Sequence, residues 1–358
     1  MGEAEERIRA IEEEIRKTPY HKGTEHHIGR LRARIARLRN EIQTQRVSRS
    51  GGGGFALRRA GDATVVLIGP PSVGKSTLIN RLSGAASKVG DYDFTTTAVV
   101  PGMMEYKGAK IQIFDLPGLI TGAALGKGRG KEVISVARQA DLLLLLVDIN
   151  SLPAVFQIKE ELYQAGIRLD EKKPEILIKR KLEGGIRVIN QVSLSQLNSQ
   201  TVREIAAEFH LTNAEIILRE DITLNRLIDA FLGNRVYSPY LLIVNKIDLS
   251  SSSFQNNPKT VFISAEKEVG IEELKEKIWQ NLGLIRVYLK SQRKGVDLNQ
   301  PYILKKGQSL KDILEKLSFA DINRVNSAKI YGPKAKFAGQ KVSLSFTPED
   351  EEVVQYDA

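Results

Sequence analysis

A glycine loop set between a strand and a helix constrains this 358-residue chain more than any other feature. The run Gly69-Pro70-Pro71-Ser72-Val73-Gly74-Lys75-Ser76-Thr77 follows the β-branched apolar stretch Thr64 to Ile68. Helical spacing resumes from Ser76 to Leu82. Backbone N–H groups can wrap a phosphate chain only where glycines keep side chains out of the way. The helix N-terminus adds partial positive charge at the same point. The pattern therefore predicts that Lys75 reaches β- and γ-phosphates and that the Ser76 hydroxyl ligates Mg²⁺. A kinase or an ATPase would satisfy it equally well.

The base is read elsewhere. Asn245-Lys246-Ile247-Asp248 comes directly after the strand-like run Leu241 to Val244. An aspartate there can accept two hydrogen bonds from guanine N1 and N2, whereas adenine offers no matching pair. Charged hydrogen bonds are worth about 1.5–3 kcal/mol each, so the wrong base leaves an expensive unpaired carboxylate. Ser264-Ala265, at the end of the next strand, is placed to offer a backbone N–H to the guanine carbonyl. Between the two regions lies Asp115-Leu116-Pro117-Gly118. Here Asp115 is expected to hold Mg²⁺ through water, and the Gly118 N–H to meet the γ-phosphate. Asp93-Phe94-Thr95-Thr96-Thr97 offers hydroxyls for the rest of the magnesium shell. Loops ordered by those contacts and released after hydrolysis would make a two-state switch between GTP and GDP.

Around this centre, short apolar strands alternate with helices. Ile111 to Asp115, Leu142 to Asp148, Tyr240 to Asn245 and Thr260 to Ile263 read as parallel strands buried on both faces. Helices at 131–139, 154–165 and 270–282 serve as crossovers. The predicted class is α/β: a P-loop GTPase domain with a doubly wound, mainly parallel sheet. One connection, Asp148 to Tyr240, is about 90 residues long, where a crossover needs roughly 20–30. The excess reads as an inserted α+β unit. Its strands are Glu175 to Lys181, Ile186 to Asn190 and Glu215 to Leu218, with helices at 200–209 and 223–232. The predicted segments are a helical hairpin at 1–48, a Gly-rich linker at 49–61, the GTPase domain at 62–167 and 237–284, the insertion at 168–236, and a β-rich module at 285–358.

Charge divides along the same lines. Residues 1–60 carry 14 Lys/Arg against 8 Asp/Glu, residues 61–285 carry 26 of each, and residues 286–358 carry 13 against 9. Two basic flanks around a neutral centre favour a polyanionic partner, with RNA the first choice. In the hairpin, Ile28, Leu31, Ile35, Leu38 and Ile42 form a seam. Arg30, Arg32, Arg34, Arg37 and Arg39 lie off it, and read either as a solvated face or as an arm along phosphates. The absence of cysteine removes disulfides and thiolate sites. Four scattered histidines do not suggest zinc, and no apolar run approaches membrane-spanning length. Neither a membrane nor a DNA partner is expected, and the chain reads as cytoplasmic.

Taken together, these motifs resemble those of the Obg-related GTPases, and within them the developmentally regulated GTP-binding proteins. The most specific parts are Ser50-Gly51-Gly52-Gly53-Gly54-Phe55, the Asp93 to Thr97 run, and Gly126-Lys127-Gly128-Arg129-Gly130. The likeness extends over nearly the whole chain. It implies a ribosomal-protein-like βα insertion, a C-terminal segment similar to the TGS domain, GTP hydrolysis linked to ribosomes, and a small dedicated regulatory partner protein. It also implies that Thr96 is the magnesium-binding switch threonine, with Thr95 and Thr97 as alternatives. One position departs from Ras-like enzymes, which carry a water-orienting glutamine directly after the DxxG glycine; here the residue is Leu119. A leucine cannot polarise water, so slow intrinsic turnover is expected. Some relatives carry Asn at the position of Ser72 and recruit a potassium ion, so K⁺ activation stays open. Arg129 is a further candidate charge for the transition state, against a reading as a switch or surface arginine.

Overall fold

A computed structural model describes residues 3–19, 24–49, 60–84, 101–116, 130–250, 254, 257–291, 295–317 and 325–357. Two helices come first, α1 (Glu3–Lys17) and α2 (Glu25–Arg49). The chain then alternates through β1 (Ala63–Ile68), α3 (Lys75–Ser83), β2 (Pro101–Tyr106), β3 (Ala109–Leu116), α4 (Gly130–Ala137), β4 (Leu142–Asp148) and α5 (Ala154–Gln164). A second series follows: β5 (Ile167–Leu169), β6 (Ile176–Arg180), β7 (Ile186–Asn190), α6 (Ser199–Glu208), β8 (Ala214–Leu218), α7 (Leu224–Leu232) and β9 (Val236–Ser238). The alternation resumes with β10 (Tyr240–Asn245), β11 (Thr260–Phe262) and α8 (Ile271–Leu282). It ends in β12 (Leu284–Ser291), β13 (Gly295–Val296), β14 (Tyr302–Lys305), α9 (Leu310–Leu317), β15 (Ser327–Tyr331), β16 (Gln340–Ser343) and β17 (Glu352–Asp357).

These elements fall into two compact units. Met1–Phe55 joins Gly166–Tyr237 in one, and Ala56–Ala165 joins Ser238–Ala358 in the other. The second unit is built on a six-stranded sheet ordered β11-β10-β4-β1-β3-β2. All neighbours are parallel except β2, which runs antiparallel to β3 and escapes the sequence reading. The run Leu142 to Val147 is fully buried because β4 is central and covered on both faces. Burying one such leucine is worth about 1.5–3 kcal/mol, so this strand anchors the sheet. The chain reverses its winding at β1, which has β3 on one side and β4 on the other. Carboxyl ends of strands at such a reversal form a crevice where ligands bind.

The C-terminal module packs a five-stranded path, β13-β12-β17-β15-β16, with β14 paired to β12. Leu310, Ile313, Ala328, Ile330 and Val354 are at its core, while Leu284 and Ile303 join the core of the large sheet. Arg286 ties β12 to the turn before the final strand by three hydrogen bonds to Asp350, at 2.7 Å from its N–H and at 3.1 and 2.8 Å from its guanidinium.

In the first unit, β8 lies between β6 and β7, antiparallel to one and parallel to the other. The two strands joined through Gly184-Gly185 are therefore not partners. The helices α1 and α2 pack through Ile8, Ile11, Leu31, Ile35 and Leu38. On the arginine face of α2, Arg30, Arg34 and Arg39 keep about half of their side-chain surface exposed while pairing with acids. Arg34 meets Glu208 at 3.4 Å, Arg30 meets Glu204 at 3.9 Å, and Arg37 donates to the Glu208 carbonyl at 2.5 Å. Arg39 pairs with Glu12 at 2.7 Å. Ala33 and Ala36 of the same helix join the apolar core formed by α6, α7 and β8. Small residues let α2 approach closely, and the longer arginines reach acceptors on α6. Each exposed pair is worth little alone; the contact rests on the apolar surface beneath. At the neck of the insertion, Arg168 makes a bidentate pair with Asp229 at 2.6 and 2.8 Å, and Arg235 adds a third bond at 2.9 Å. Arg168 and Asp229 are only 3% and 5% exposed, so neither charge has water as an alternative partner.

Candidate functional site

The strand β1 delivers the chain into the glycine loop, and α3 carries it away. Gly69 cannot bear a side chain, since a Cβ there would lie 2.1 Å from the Leu146 carbonyl oxygen of β4. Gly74 precedes α3 at φ 95°, and its Cβ would meet the Asn245 amide nitrogen at 2.5 Å. Both glycines are thus demanded by neighbours as well as by any ligand. Val73 is buried beneath the loop, while Pro71, Ser72, Ser76 and Thr77 are exposed along it and Pro70 is half-buried. Lys75 Nζ donates to the carbonyls of Gly69 at 3.1 Å and Pro70 at 2.8 Å, which holds the ammonium across the loop. Exposed donors, a cation and a helix N-terminus converge here, and that arrangement can cradle a phosphate chain.

A brace links this loop to the motif predicted to read the base. Asn245, 3% exposed at the end of β10, donates through Nδ2 to the Val73 carbonyl at 2.9 Å. Its Oδ1 accepts from the Ala265 N–H at 2.9 Å. Lys246, in the left-handed region at φ 62°, donates through Nζ to the Ser72 carbonyl at 2.7 Å and to Asp148 Oδ2 at 2.9 Å. Ser72 itself sits at φ 63°. A non-glycine residue in that region is held there only by surrounding contacts, and the Lys246 bond is one such contact.

Asp148 is a site residue the motif reading passes over. It ends β4, is paired in register with Asn245, and is 8% exposed. Its Oδ1 accepts from the N–H groups of Asn150 and Ser151 and from the Ser151 hydroxyl, at 3.1, 2.9 and 2.8 Å. Burial pushes its pKa up, but the Lys246 and Ser151 bonds, the Lys246 charge and the Asn150 N–H outweigh that, so the net shift is downward. An acid closing the most apolar strand of the sheet was the available signal.

Asp248 lies in a short 3-10 turn, Ile247–Leu249. A hydrogen bond from Ser264 is the largest influence on its carboxyl; with the nearby Lys267 ammonium it overcomes desolvation and lowers the pKa. Asp248 is therefore an ionised acceptor oriented by the following strand. The Ala265 N–H is engaged by Asn245, and the Ser264 N–H donates to the Val269 carbonyl at 3.1 Å. Both amides are thus engaged within the protein, and the Asn245 brace holds the Ala265 donor beside the base motif.

Asp115, at the end of β3, has an Oδ1 that is buried without a hydrogen-bond partner among the described residues. Burial raises its pKa and the Lys75 charge only partly offsets this. A buried carboxylate oxygen left open beside a phosphate loop fits a hydrated cation, and Asp115 with Ser76 could hold one. Phe94, Thr95, Thr96, Thr97 and Gly118 lie outside the described residues, as do Leu119 and Arg129.

The family described as "50S ribosome-binding GTPase" matches residues 64–181, and the family described as the C-terminal region of that domain matches residues 183–284. An uncharacterised GTP-binding protein of Methanocaldococcus jannaschii is 46% identical over 98% of this chain and 92% of its own length. Ribosome-interacting GTPase 1 of Saccharomyces cerevisiae is 41% identical over 99% of both chains. Developmentally-regulated GTP-binding protein 2 of Homo sapiens is 39% identical over 98% of both. On these grounds the chain belongs to the developmentally regulated GTP-binding protein family, a family of P-loop GTPases.

Proposed function

We propose that the chain is a magnesium-dependent molecular switch that binds GTP, hydrolyses it slowly to GDP and phosphate, and acts on ribosomes or structured RNA in the cytoplasm. The observation that carries this reading is the brace from Asn245 and Lys246 to the backbone of the phosphate loop at Val73 and Ser72. It couples a carboxylate suited to guanine with a loop suited to phosphates, so base and phosphates are sensed by one rigid piece. Lys75 would leave its loop carbonyls for the β- and γ-oxygens, and the loop N–H groups would hold the chain in line. Mg²⁺ held by Ser76, Asp115 and Thr96 would offset charge on those oxygens. Gly118 would carry the γ-phosphate signal into the switch segment. Leu119 supplies no group to orient water, so acceleration would come from a partner, from Arg129, or from K⁺ beside Ser72.

The basic flanks and the ribosome-interacting name of the yeast relative support the partner class. The small regulatory protein, the ribosomal-protein-like insertion and the TGS-like end module follow from family resemblance. Leu119 also favours a second reading, in which the chain is an RNA- or ribosome-binding scaffold whose nucleotide is structural and scarcely hydrolysed. Competition between GTP and ATP for a fluorescent GDP analogue tests the base assignment. GTP should displace it at concentrations at least a hundredfold lower, as expected when a buried carboxylate would otherwise stay unpaired. Equal displacement by ATP would sink the assignment.

A further inference from the structure

The inserted sheet has two unlike faces. Ala214, Ile216 and Leu218 point into the core beneath α6 and α7, with Ile176, Ile178, Ile186 and Val188 beside them. Strand alternation puts Leu177, Lys179, Arg187, Ile189, Glu215 and Ile217 on the opposite face. An open face normally carries polar side chains. Here Leu177, Ile217 and Ile189 stand directly opposite one another across the three strands, forming an unbroken aliphatic row. Leu177 is 36% exposed, and Leu182, on the connection between the outer strands, is 99% exposed. Asn213 pins that connection, donating to the Leu182 carbonyl at 3.0 Å and accepting from the Gly185 N–H at 2.8 Å. The leucine is therefore displayed on a fixed backbone.

The adjacent row is Lys179, Glu215 and Arg187. Its single carboxylate is already paired with Lys181 at 3.0 Å. The row is thus a cationic border along an aliphatic strip. Strands about 4.8 Å apart make that row about 10 Å long, which matches about two turns of an α-helix lying across the strands. None of the six residues on these two rows is aromatic, so the surface lacks the rings on which nucleic-acid bases stack.

We infer that this face docks an acidic amphipathic helix of a partner protein, with Leu or Ile side chains on the Leu177–Ile217–Ile189 row and carboxylates against Lys179 and Arg187. The inference goes beyond the nucleotide reading and does not depend on it, because every residue it uses is in the unit formed by the N-terminal helices and residues 166–237.

The test uses the full-length chain and three fluorescein-labelled probes: a helical peptide of roughly 18 residues with leucines on one face and glutamates elsewhere, its lysine counterpart, and a single-stranded RNA of similar length. Anisotropy should give the acidic peptide a dissociation constant of about 10 µM and the lysine peptide no saturable binding. The double variant Lys179→Glu/Arg187→Glu should weaken the acidic peptide at least tenfold, and Ile217→Ser should do so without altering the circular dichroism spectrum. Acidic-peptide binding that is absent, or indifferent to both variants, would overturn the inference. So would RNA binding that the charge reversal abolishes while the peptide is unaffected.

Discussion

Replacing Asp148 with asparagine tests whether the brace is part of the binding machinery. The amide is isosteric, and its oxygen can keep the bonds from Asn150 and Ser151 that now reach Oδ1. Its NH₂ then faces the Lys246 ammonium, which now lies 2.9 Å from Oδ2. Two donors meet, and Lys246 loses the acceptor that aims it at the Ser72 carbonyl. A hydrogen bond to a charged group contributes about 1.5–3 kcal/mol, and about 1.4 kcal/mol is a factor of ten. If the brace must be intact when nucleotide is bound, the Asp148→Asn variant should bind GDP about 10- to 150-fold more weakly. Titration with a fluorescent GDP analogue measures this, and circular dichroism checks the fold. An affinity within about twofold of wild type would refute the reasoning, whatever happened to stability. The carboxyl's lowered pKa fixes the pH behaviour of the wild type. Its contribution is present above the unfolded value of about 3.9 and is lost only as pH falls through the lower folded value. Asp148 should therefore add no pH dependence between about pH 5 and 8.

Three further outcomes follow from the packing. The Asp229→Ala variant removes the carboxylate that Arg168 and Arg235 share in a dry site, and should destabilise the insertion by about 3–5 kcal/mol; hydrogen exchange across 224–232 reports it, and protection equal to wild type would contradict the ion network. Glu352 is fully buried with Oε1 unpartnered, and burial raises its pKa. Its folded form is therefore most stable below the unfolded pKa and weakens as pH rises through the folded value, so Glu352→Gln should raise the melting temperature at pH 7 and have less effect near pH 4; a lower melting temperature at pH 7 would reverse that sign. Deleting residues 1–49 removes Ala33 and Ala36 from the core under α6 and α7. The truncated chain should bind a dye specific for exposed apolar surface while retaining GDP affinity, and the absence of dye binding would show that the helices merely rest on the insertion.

The strands of the nucleotide unit were legible because each is a continuous apolar run ending in a motif. The run from Leu142 to Val147 can hardly be anything but a central parallel strand. The edge strand Pro101–Tyr106 was not legible, since glycine, methionine and glutamate give it neither alternation nor an apolar run. Strand order within the insertion was hidden for a different reason. Gly184-Gly185 suits a tight hairpin, yet a third strand from later in the chain separates the two it joins. The acids that the α2 arginines meet were not legible, because Glu204 and Glu208 lie about 170 residues away. At the site, the motifs located Lys75, Asp115 and Asn245, but Asp148 belongs to no motif and only strand register brings it opposite Asn245.

The proposed guanine-nucleotide switch would turn over slowly on its own, because Leu119 cannot orient water. The most direct measurement is single-turnover hydrolysis of γ-labelled GTP by the purified chain with Mg²⁺, alone and with purified ribosomes. Phosphate release should be slow for the chain alone and at least tenfold faster with ribosomes, close to the smallest effect expected of a supplied charge or positioned water. Rapid hydrolysis by the chain alone, or a rate indifferent to ribosomes, would contradict it.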